Sequence, residues 1–198
     1  LPISTRKQME PSASGRQMWS WACWAVRESN IATPVLEKGR LFFTSFYDGS
    51  LMLQLHGNDM AVDQVWRRIG RDEQHTDSLH SIISSPIVTD DYIYGVGSYG
   101  EMRCLDTKTG RKIWERTDLK CDHWRGAGSS PVVYGGLLYL TFDGYDQQFI
   151  VALDKRTGDT VWKGATTGSS RASYEGLIEI VEGCQNSHTY LQTHSLML

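Results

Sequence analysis

Long apolar runs and an excess of one charge are both missing from this 198-residue sequence. No stretch reaches the roughly 18 consecutive apolar residues of a membrane-spanning helix, so we expect no transmembrane segment. The 20 Lys and Arg residues stand against 23 Asp and Glu, which leaves a formal net charge of −3. We therefore expect no nucleic-acid partner and no polybasic membrane patch.

Cysteine and proline are scarce, with 4 and 5 residues. The cysteines are Cys23, Cys104, Cys121 and Cys184. They form no C-x-x-C pair and no zinc-binding spacing, and they are too few for a disulfide scaffold, so the disulfide state of Cys104 and Cys121 stays open. The first residues lack the positive segment followed by an apolar one that a secretory signal needs, so a signal, if one existed, has been lost, and its presence stays open.

Glycine is common, at 19 residues, and separates short runs rich in Val, Ile, Tyr and Phe. This pattern is typical of an all-β chain. The runs belong to a repeat, because Trp66, Trp114 and Trp162 lie at two equal intervals of 48 residues. The segments 84–116 and 129–164 are similar along their length, and 32–66 is a weaker copy. Three copies of one structural unit are therefore predicted.

Each copy is predicted to form four short antiparallel strands; in the second copy they cover 85–88, 92–97, 101–105 and 112–116. Four strands in a repeat of about 40–50 residues indicate a β-propeller blade. We predict an all-β propeller of about three to four blades, interpreted as a fragment of a larger propeller. The blades are placed at about 32–70, 84–118 and 129–164, with the end of a preceding blade in 1–31 and an incomplete or atypical blade in 165–198.

Two of the copies end in the same motif. Residues 104–114 read C-L-D-T-K-T-G-R-K-I-W, and residues 152–162 read A-L-D-K-R-T-G-D-T-V-W. They resemble the A-x-D-x-x-T-G-x-x-x-W tryptophan-docking motif of PQQ-binding-like (pyrroloquinoline quinone) propeller repeats, over about 32–164. The resemblance implies a structural docking role for the following residues: Asp106, Gly110, Trp114, Asp154, Gly158, Trp162 and, at the end of the first copy, Trp66. The first copy departs from the motif, with N-D-M-A-V-D at 58–63.

Two linkers between predicted blades carry the candidate ligand-binding residues. The first, at 70–80, contains Asp72, His75 and His80, which suit either a metal or general acid–base site, or a solvated polar loop. We favour the polar loop, because no helical frame aims both histidines at one ion. The second, at 120–128, contains the following four side chains: Asp122, His123, Trp124 and Arg125. They suit an anionic or planar ligand, or a loop packed on its own blade, which we favour because of the neighbouring glycines.

Three further turns each place a tyrosine near a glycine, at Tyr47 before Gly49, Tyr99 before Gly100 and Tyr145 after Gly144. Turn chemistry accounts for the glycines and their neighbouring aspartates. Tyrosine at a rim serves in recognition, and equally closes the end of a strand, so both interpretations stay open.

The favoured function is a non-catalytic PQQ-like propeller that acts as a binding or assembly scaffold, as outer-membrane assembly propeller lipoproteins do. This resemblance implies protein partners or the remaining blades of a larger propeller, and favours a periplasmic or cell-envelope location. No catalytic, cofactor-binding or metal-binding residue and no cofactor are assigned. The alternative is a fragment of a PQQ-dependent quinoprotein dehydrogenase, whose adjacent cysteine pair this sequence lacks. A WD-type adaptor is disfavoured, because no G-H…W-D unit occurs.

Overall fold

The computed structural model describes residues 32–56, 61–119, 121–122 and 128–165. Within these ranges the chain forms strands and no helix, which confirms the all-β prediction. The first sheet contains β1 Val35–Glu37, β2 Arg40–Ser45, β3 Gly49–His56 and β4 Ala61–Arg68. The second contains β5 Ile87–Val88, β6 Tyr92–Val96, β7 Met102–Asp106 and β8 Lys112–Arg116. The third contains β9 Val132–Tyr134, β10 Leu137–Asp143, β11 Gln148–Asp154 and β12 Thr160–Ala165.

Every sheet is an antiparallel meander in which each strand pairs with the next in the chain. The strand bounds differ slightly from the predicted ones. The first strand of the second sheet covers only Ile87–Val88, because Pro86 has no N–H to donate to a ladder. Among the described residues, no helix is long and apolar enough to cross a membrane. Residues 1–31 and 166–198, where a preceding and a following blade were predicted, lie outside the described residues.

The three repeat tryptophans occupy one register position in their sheets. Trp66 lies opposite Met52, Trp114 opposite Cys104 and Trp162 opposite Ala152. In each sheet the register shifts immediately after that pair, between residues 52 and 53, 104 and 105, and 152 and 153. The 48-residue spacing therefore corresponds to a strict structural repeat.

Each of the first two tryptophans contacts a turn of the following sheet. The Trp66 indole Nε1 donates a hydrogen bond to the Thr107 carbonyl at 2.9 Å, and Trp114 Nε1 donates to the Lys155 carbonyl at 3.2 Å. The rings lie on Gly110 and Gly158, where an added Cβ would stand 2.7 Å and 2.8 Å from ring atoms. Both glycines have positive φ, 67° and 78°. Only glycine meets both conditions, and we call this arrangement the tryptophan seat.

An aspartate shapes each seat. The Asp106 carboxylate accepts hydrogen bonds from the Thr109 N–H and hydroxyl, both at 2.7 Å. The Asp154 carboxylate accepts the N–H groups of Arg156 and Thr157, and these bonds hold its pKa below its ordinary value. Such local hydrogen bonds close the turn and present its glycine to the ring.

Two arginines that sequence reasoning missed also reach these turns. Arg68 Nε donates to the Thr109 carbonyl at 3.0 Å, and Arg116 Nη1 donates to the Gly158 carbonyl at 2.6 Å. Each follows its tryptophan by two positions, so a W-x-R pattern in the first two copies was the available signal. Gly164 stands at that position in the third copy.

The sheets bury their apolar faces against one another. Between the first and second sheets lies this cluster: Phe42, Met52, Trp66, Leu79, Val88, Ile93 and Leu105. A larger cluster, which includes Tyr94, Cys104, Leu138, Leu140, Phe142, Phe149 and Val151, lies between the second and third. Trp162 belongs to neither cluster and is 42% exposed, compared with 8% for Trp66.

We expect Trp66→Ala and Trp114→Ala each to lower the free energy of unfolding by about 3–5 kcal/mol, because each empties a joint between sheets. Trp162→Ala is the matched control, and should cost about 1 kcal/mol or less because the ring is largely solvated. His75→Ala, at an exposed linker position, should also cost little. Urea melts measure all four, and equal losses in Trp114→Ala and Trp162→Ala would contradict the assignment.

Gly110→Ala should destabilise the chain more than Gly135→Ala does. Both positions have positive φ, but an added Cβ at Gly135 meets nothing within 4 Å, whereas at Gly110 it meets the Trp66 ring. The difference in unfolding free energy should be about 1–3 kcal/mol, the range for overpacking. In the Trp66→Ala background that difference should disappear, and its persistence would show that the ring is not what requires glycine.

Candidate functional site

Both candidate linkers lie at the same end of the sheets, where the second and fourth strands of each sheet end. In an antiparallel meander, the second and fourth strands end on the same side of the sheet, so the turn after the second strand and the linker after the fourth strand lie side by side. We call this end of the three sheets the linker rim. Its described residues are the turns 46–48, 97–101 and 144–147 and the linker residues 69–86, 117–119, 121–122 and 128–131. The tryptophan seats are formed by turns at the other end of the third strands.

The exposed half of the first linker is a local turn built on Asp72. Its Oδ1 accepts the N–H groups of Gln74 at 3.0 Å and of His75 at 2.6 Å. The His75 ring Nδ1 lies 2.7 Å from the same carboxylate oxygen. The His75 backbone hydrogen bond is the leading cause that lowers the pKa of Asp72 to about 2. Asp72 and His75 therefore bind each other.

His80 lies at the buried end of this linker and is 1% exposed. Its Nδ1 is 2.6 Å from the Phe46 carbonyl and its Nε2 is 3.2 Å from the Thr76 hydroxyl. Because a carbonyl only accepts, Nδ1 carries the proton and Nε2 accepts from Thr76. Burial lowers the pKa of His80 below its ordinary value, with nearby Arg103 acting in the same direction. His80 is a neutral histidine whose two nitrogens are engaged.

The buried backbone around His80 is held by side chains of both neighbouring sheets. Thr44 and Ser50, from the first sheet, donate to the Leu79 carbonyl at 3.0 Å and 2.7 Å. Arg103, from the second sheet and 3% exposed, donates to the Ser78 carbonyl at 3.0 Å and pairs with Glu115 at 2.7 Å. These bonds satisfy backbone groups that burial removes from water. The linker is therefore part of the packing between the first two sheets.

The two histidines are not brought to one point, since His75 binds Asp72 and His80 points at Phe46 and Thr76. Among the described residues, no three His, Cys, Asp or Glu side chains are grouped in a way that could hold a metal ion. Cys104 and Cys121 are both free thiols. Burial raises the pKa of Cys104 to about 12 and that of Cys121 to about 11, so both stay protonated near neutral pH.

Of the second candidate cluster, only Asp122 is described. Its N–H donates to Asp146 at 2.6 Å and its carbonyl accepts from the Tyr145 N–H at 2.9 Å, which joins the linker to the β10–β11 turn. Its side chain is exposed. His123, Trp124 and Arg125 lie outside the described residues, so their predicted ligand role stays a prediction.

The described linker rim is acidic. It carries one arginine, Arg71, and the following eight carboxylates: Asp48, Asp72, Glu73, Asp77, Glu101, Asp118, Asp122 and Asp146. Some are neutralised locally, as Asp118 is by Arg116, whose side-chain hydrogen bond is the leading cause that lowers the pKa of Asp118 to about 2. The quinone PQQ is a planar tricarboxylate, and like charges repel at a binding surface. Beyond Arg71 the described rim residues offer the carboxylates of this quinone no cationic side chain, and no described group of side chains could hold a bridging Ca²⁺, so they do not fit PQQ.

Comparison with known proteins gives two kinds of relative. The sequence matches the family described as outer membrane protein assembly factor BamB over residues 11–120 and 63–184. It is 34% identical over 83 residues to a quinoprotein ethanol dehydrogenase of Pseudomonas putida, a match that covers 40% of this chain and 13% of that protein. A second quinoprotein ethanol dehydrogenase, from Pseudomonas aeruginosa, is 33% identical over 84 residues and is also covered to 13%.

Among solved structures, the fold is similar to the quinohemoprotein alcohol dehydrogenase from Comamonas testosteroni, with a TM-score of 0.53 at 19% identity over 70% of this chain and 22% of that chain. A europium-containing methanol dehydrogenase gives the same TM-score at 16% identity, over 70% of this chain and 25% of that one. At these identities the likeness shows the fold alone. The three sheets are propeller blades, and the chain spans only a small part of the proteins it resembles.

The buried His80 should make stability depend on pH. Its pKa is lowered on folding below the ordinary 6.5, so its contribution to stability is present above about pH 6.5 and is lost as pH falls through the folded pKa. We expect the thermal midpoint to fall between about pH 7 and pH 5. His80→Asn keeps an amide donor for the Phe46 carbonyl but does not titrate, so its midpoint should fall less. Equal pH profiles for the two proteins would contradict this assignment.

Proposed function

This chain belongs to the PQQ-like β-propeller repeat family described as outer membrane protein assembly factor BamB, and we propose on that premise that it is a non-catalytic scaffold that binds protein partners. The observation that carries the proposal is the engagement of His80. A histidine with both nitrogens committed to Phe46 and Thr76 in a packed joint is suited to holding blades together and poorly suited to proton transfer. From the family's description, the proposed place of action is the cell envelope.

A second feature supports a scaffold made of more blades than the described three. Trp162 is exposed on the outermost strand of the third sheet, whereas the equivalent Trp66 is buried in a seat. We propose that Trp162 docks on a further blade through the same kind of seat. A propeller interrupted at this point would leave an apolar edge open to pairing.

The alternative is that the chain is a piece of a quinoprotein dehydrogenase. The observation that favours it is the 31–34% identity to quinoprotein alcohol and ethanol dehydrogenases over 83–84 residues. A shared fold does not by itself carry over a reaction. Among the described residues, no three carboxylate or histidine side chains are grouped to hold the calcium ion that would accompany PQQ, which weighs against this alternative.

The experiment that separates the two is a titration of the 198-residue chain with PQQ and Ca²⁺. Tryptophan fluorescence follows binding, and dye-linked alcohol oxidation follows turnover. The scaffold proposal expects neither saturable binding in the micromolar range nor turnover. Saturable binding with turnover that is lost in Arg125→Ala would instead establish the dehydrogenase alternative.

A further inference from the structure

Three equivalent turns of the linker rim each present an exposed tyrosine. Tyr47 and Tyr99 are each 40% exposed and Tyr145 is 83% exposed. On the first two sheets these aromatic residues form one surface, since the Phe46 ring lies 4.7 Å from Tyr47 and 6.1 Å from Tyr99 between centroids. We call Phe46, Tyr47 and Tyr99 the aromatic patch.

The backbone that carries this patch is fixed by His80. The His80 side chain holds the Phe46 carbonyl at 2.6 Å, and the His80 carbonyl accepts the Ser98 N–H at 3.0 Å as well as its hydroxyl. One buried residue thus holds the turns of two sheets at the same place. Rings held in this way lose little conformational entropy when a partner binds.

The surroundings of the patch are negatively charged. The Tyr99 hydroxyl donates to Glu73 at 3.4 Å, so a carboxylate adjoins the exposed ring. The described rim has eight carboxylates and one arginine, and arginines of the adjoining strands pair with three of those carboxylates, Asp48, Asp77 and Asp118. Exposed aromatic faces beside carboxylates favour a guanidinium or ammonium group, which stacks on the ring and pairs with the acid. A polyanion, such as a nucleic acid or an anionic lipid surface, is repelled.

We propose that the aromatic patch binds an extended, arginine-bearing segment of a protein partner, with a guanidinium stacked on Tyr99 and paired with Glu73. Arginine suits this site better than lysine, because its planar group stacks and pairs at the same time. This inference rests on the proposed scaffold function and gives it a partner chemistry and a contact surface.

The test measures binding of a fluorescein-labelled (Gly-Arg)₄ peptide to the 198-residue chain by fluorescence anisotropy at low salt. We expect Tyr99→Ala and Glu73→Gln each to weaken binding about two- to fivefold, the range for an exposed cation–π contact. Tyr99→Phe keeps the ring and should bind nearly as the parent chain does. A (Gly-Glu)₄ peptide should not bind.

Matched control residues lie at the opposite end of the sheets, where the tryptophan seats are. Tyr134→Ala removes a tyrosine that is 45% exposed in β9, and Asp91→Asn neutralises an exposed acid in the β5–β6 turn. Both should bind the peptide as the parent chain does. If they weaken binding as much as Tyr99→Ala and Glu73→Gln, the attraction is a general one and the proposal is wrong.

Other outcomes also decide the matter. Unchanged binding in both Tyr99→Ala and Glu73→Gln overturns the proposal, and so does equal binding of the acidic peptide. If Tyr99→Ala melts at a much lower temperature, its ring closes the strand end, and Glu73→Gln and Tyr99→Phe then carry the test. Absent peptide binding in a chain that neither binds nor turns over PQQ overturns this inference alone. PQQ-dependent turnover would overturn the scaffold function whatever the peptide does.

Discussion

The structure depends on one repeated contact, an indole ring laid on a glycine of the next sheet. The hydrogen bond from the Trp66 indole to Thr107 fixes the direction of the ring, and Gly110 supplies the clearance that any side chain would remove. The same contact recurs 48 residues later with Trp114 and Gly158. Because both partners are anchored in rigid sheets, this contact sets how each blade lies against its neighbour.

The first linker shows how the same joint is completed at the linker rim. A connection that runs between two sheets must bury backbone groups, and here hydroxyls of Thr44 and Ser50 and the guanidinium of Arg103 satisfy them. His80 adds a side chain that is neutral because it is buried. Polar residues of the first linker, which in the sequence suggest a metal or acid–base site, here form a linker that is packed between two sheets. The same linker holds the turns that carry Phe46 and Tyr99, through the contacts of His80 with Phe46 and Ser98.

Charge decides what that surface accepts. The whole chain is nearly neutral, yet eight carboxylates and one arginine lie among the described linker-rim residues. Arginines of the adjoining strands pair with three of these carboxylates: Arg67 with Asp48, Arg68 with Asp77 and Arg116 with Asp118. The excess of acid beside Tyr99 is the feature on which the proposed binding of a basic segment rests. The comparisons find relatives of both kinds, an outer-membrane assembly factor family and quinoprotein dehydrogenases.

The sequence by itself determined the class of fold. Equal spacing of Trp66, Trp114 and Trp162 and the Asp-to-Gly turns at 106–110 and 154–158 are local or periodic features, so they are legible without coordinates. Strand bounds were less accurate near Pro86, where a missing N–H ends the ladder. The W-x-R signal was present but has no meaning until Arg68 is seen to reach Thr109, a residue 41 positions away.

Only the tertiary structure decided what the candidate residues do. His75 and His80 are five positions apart in one polar linker, yet one is paired with Asp72 on the surface and the other is buried against Phe46. The spacing of the two histidines does not show which one is buried, because the burial of His80 depends on the sheet that carries Phe46, 34 positions earlier in the chain. The grouping of Phe46 with Tyr99 has the same cause. Contacts between blades are long-range, and a repeat pattern predicts that blades meet without predicting which side chains meet.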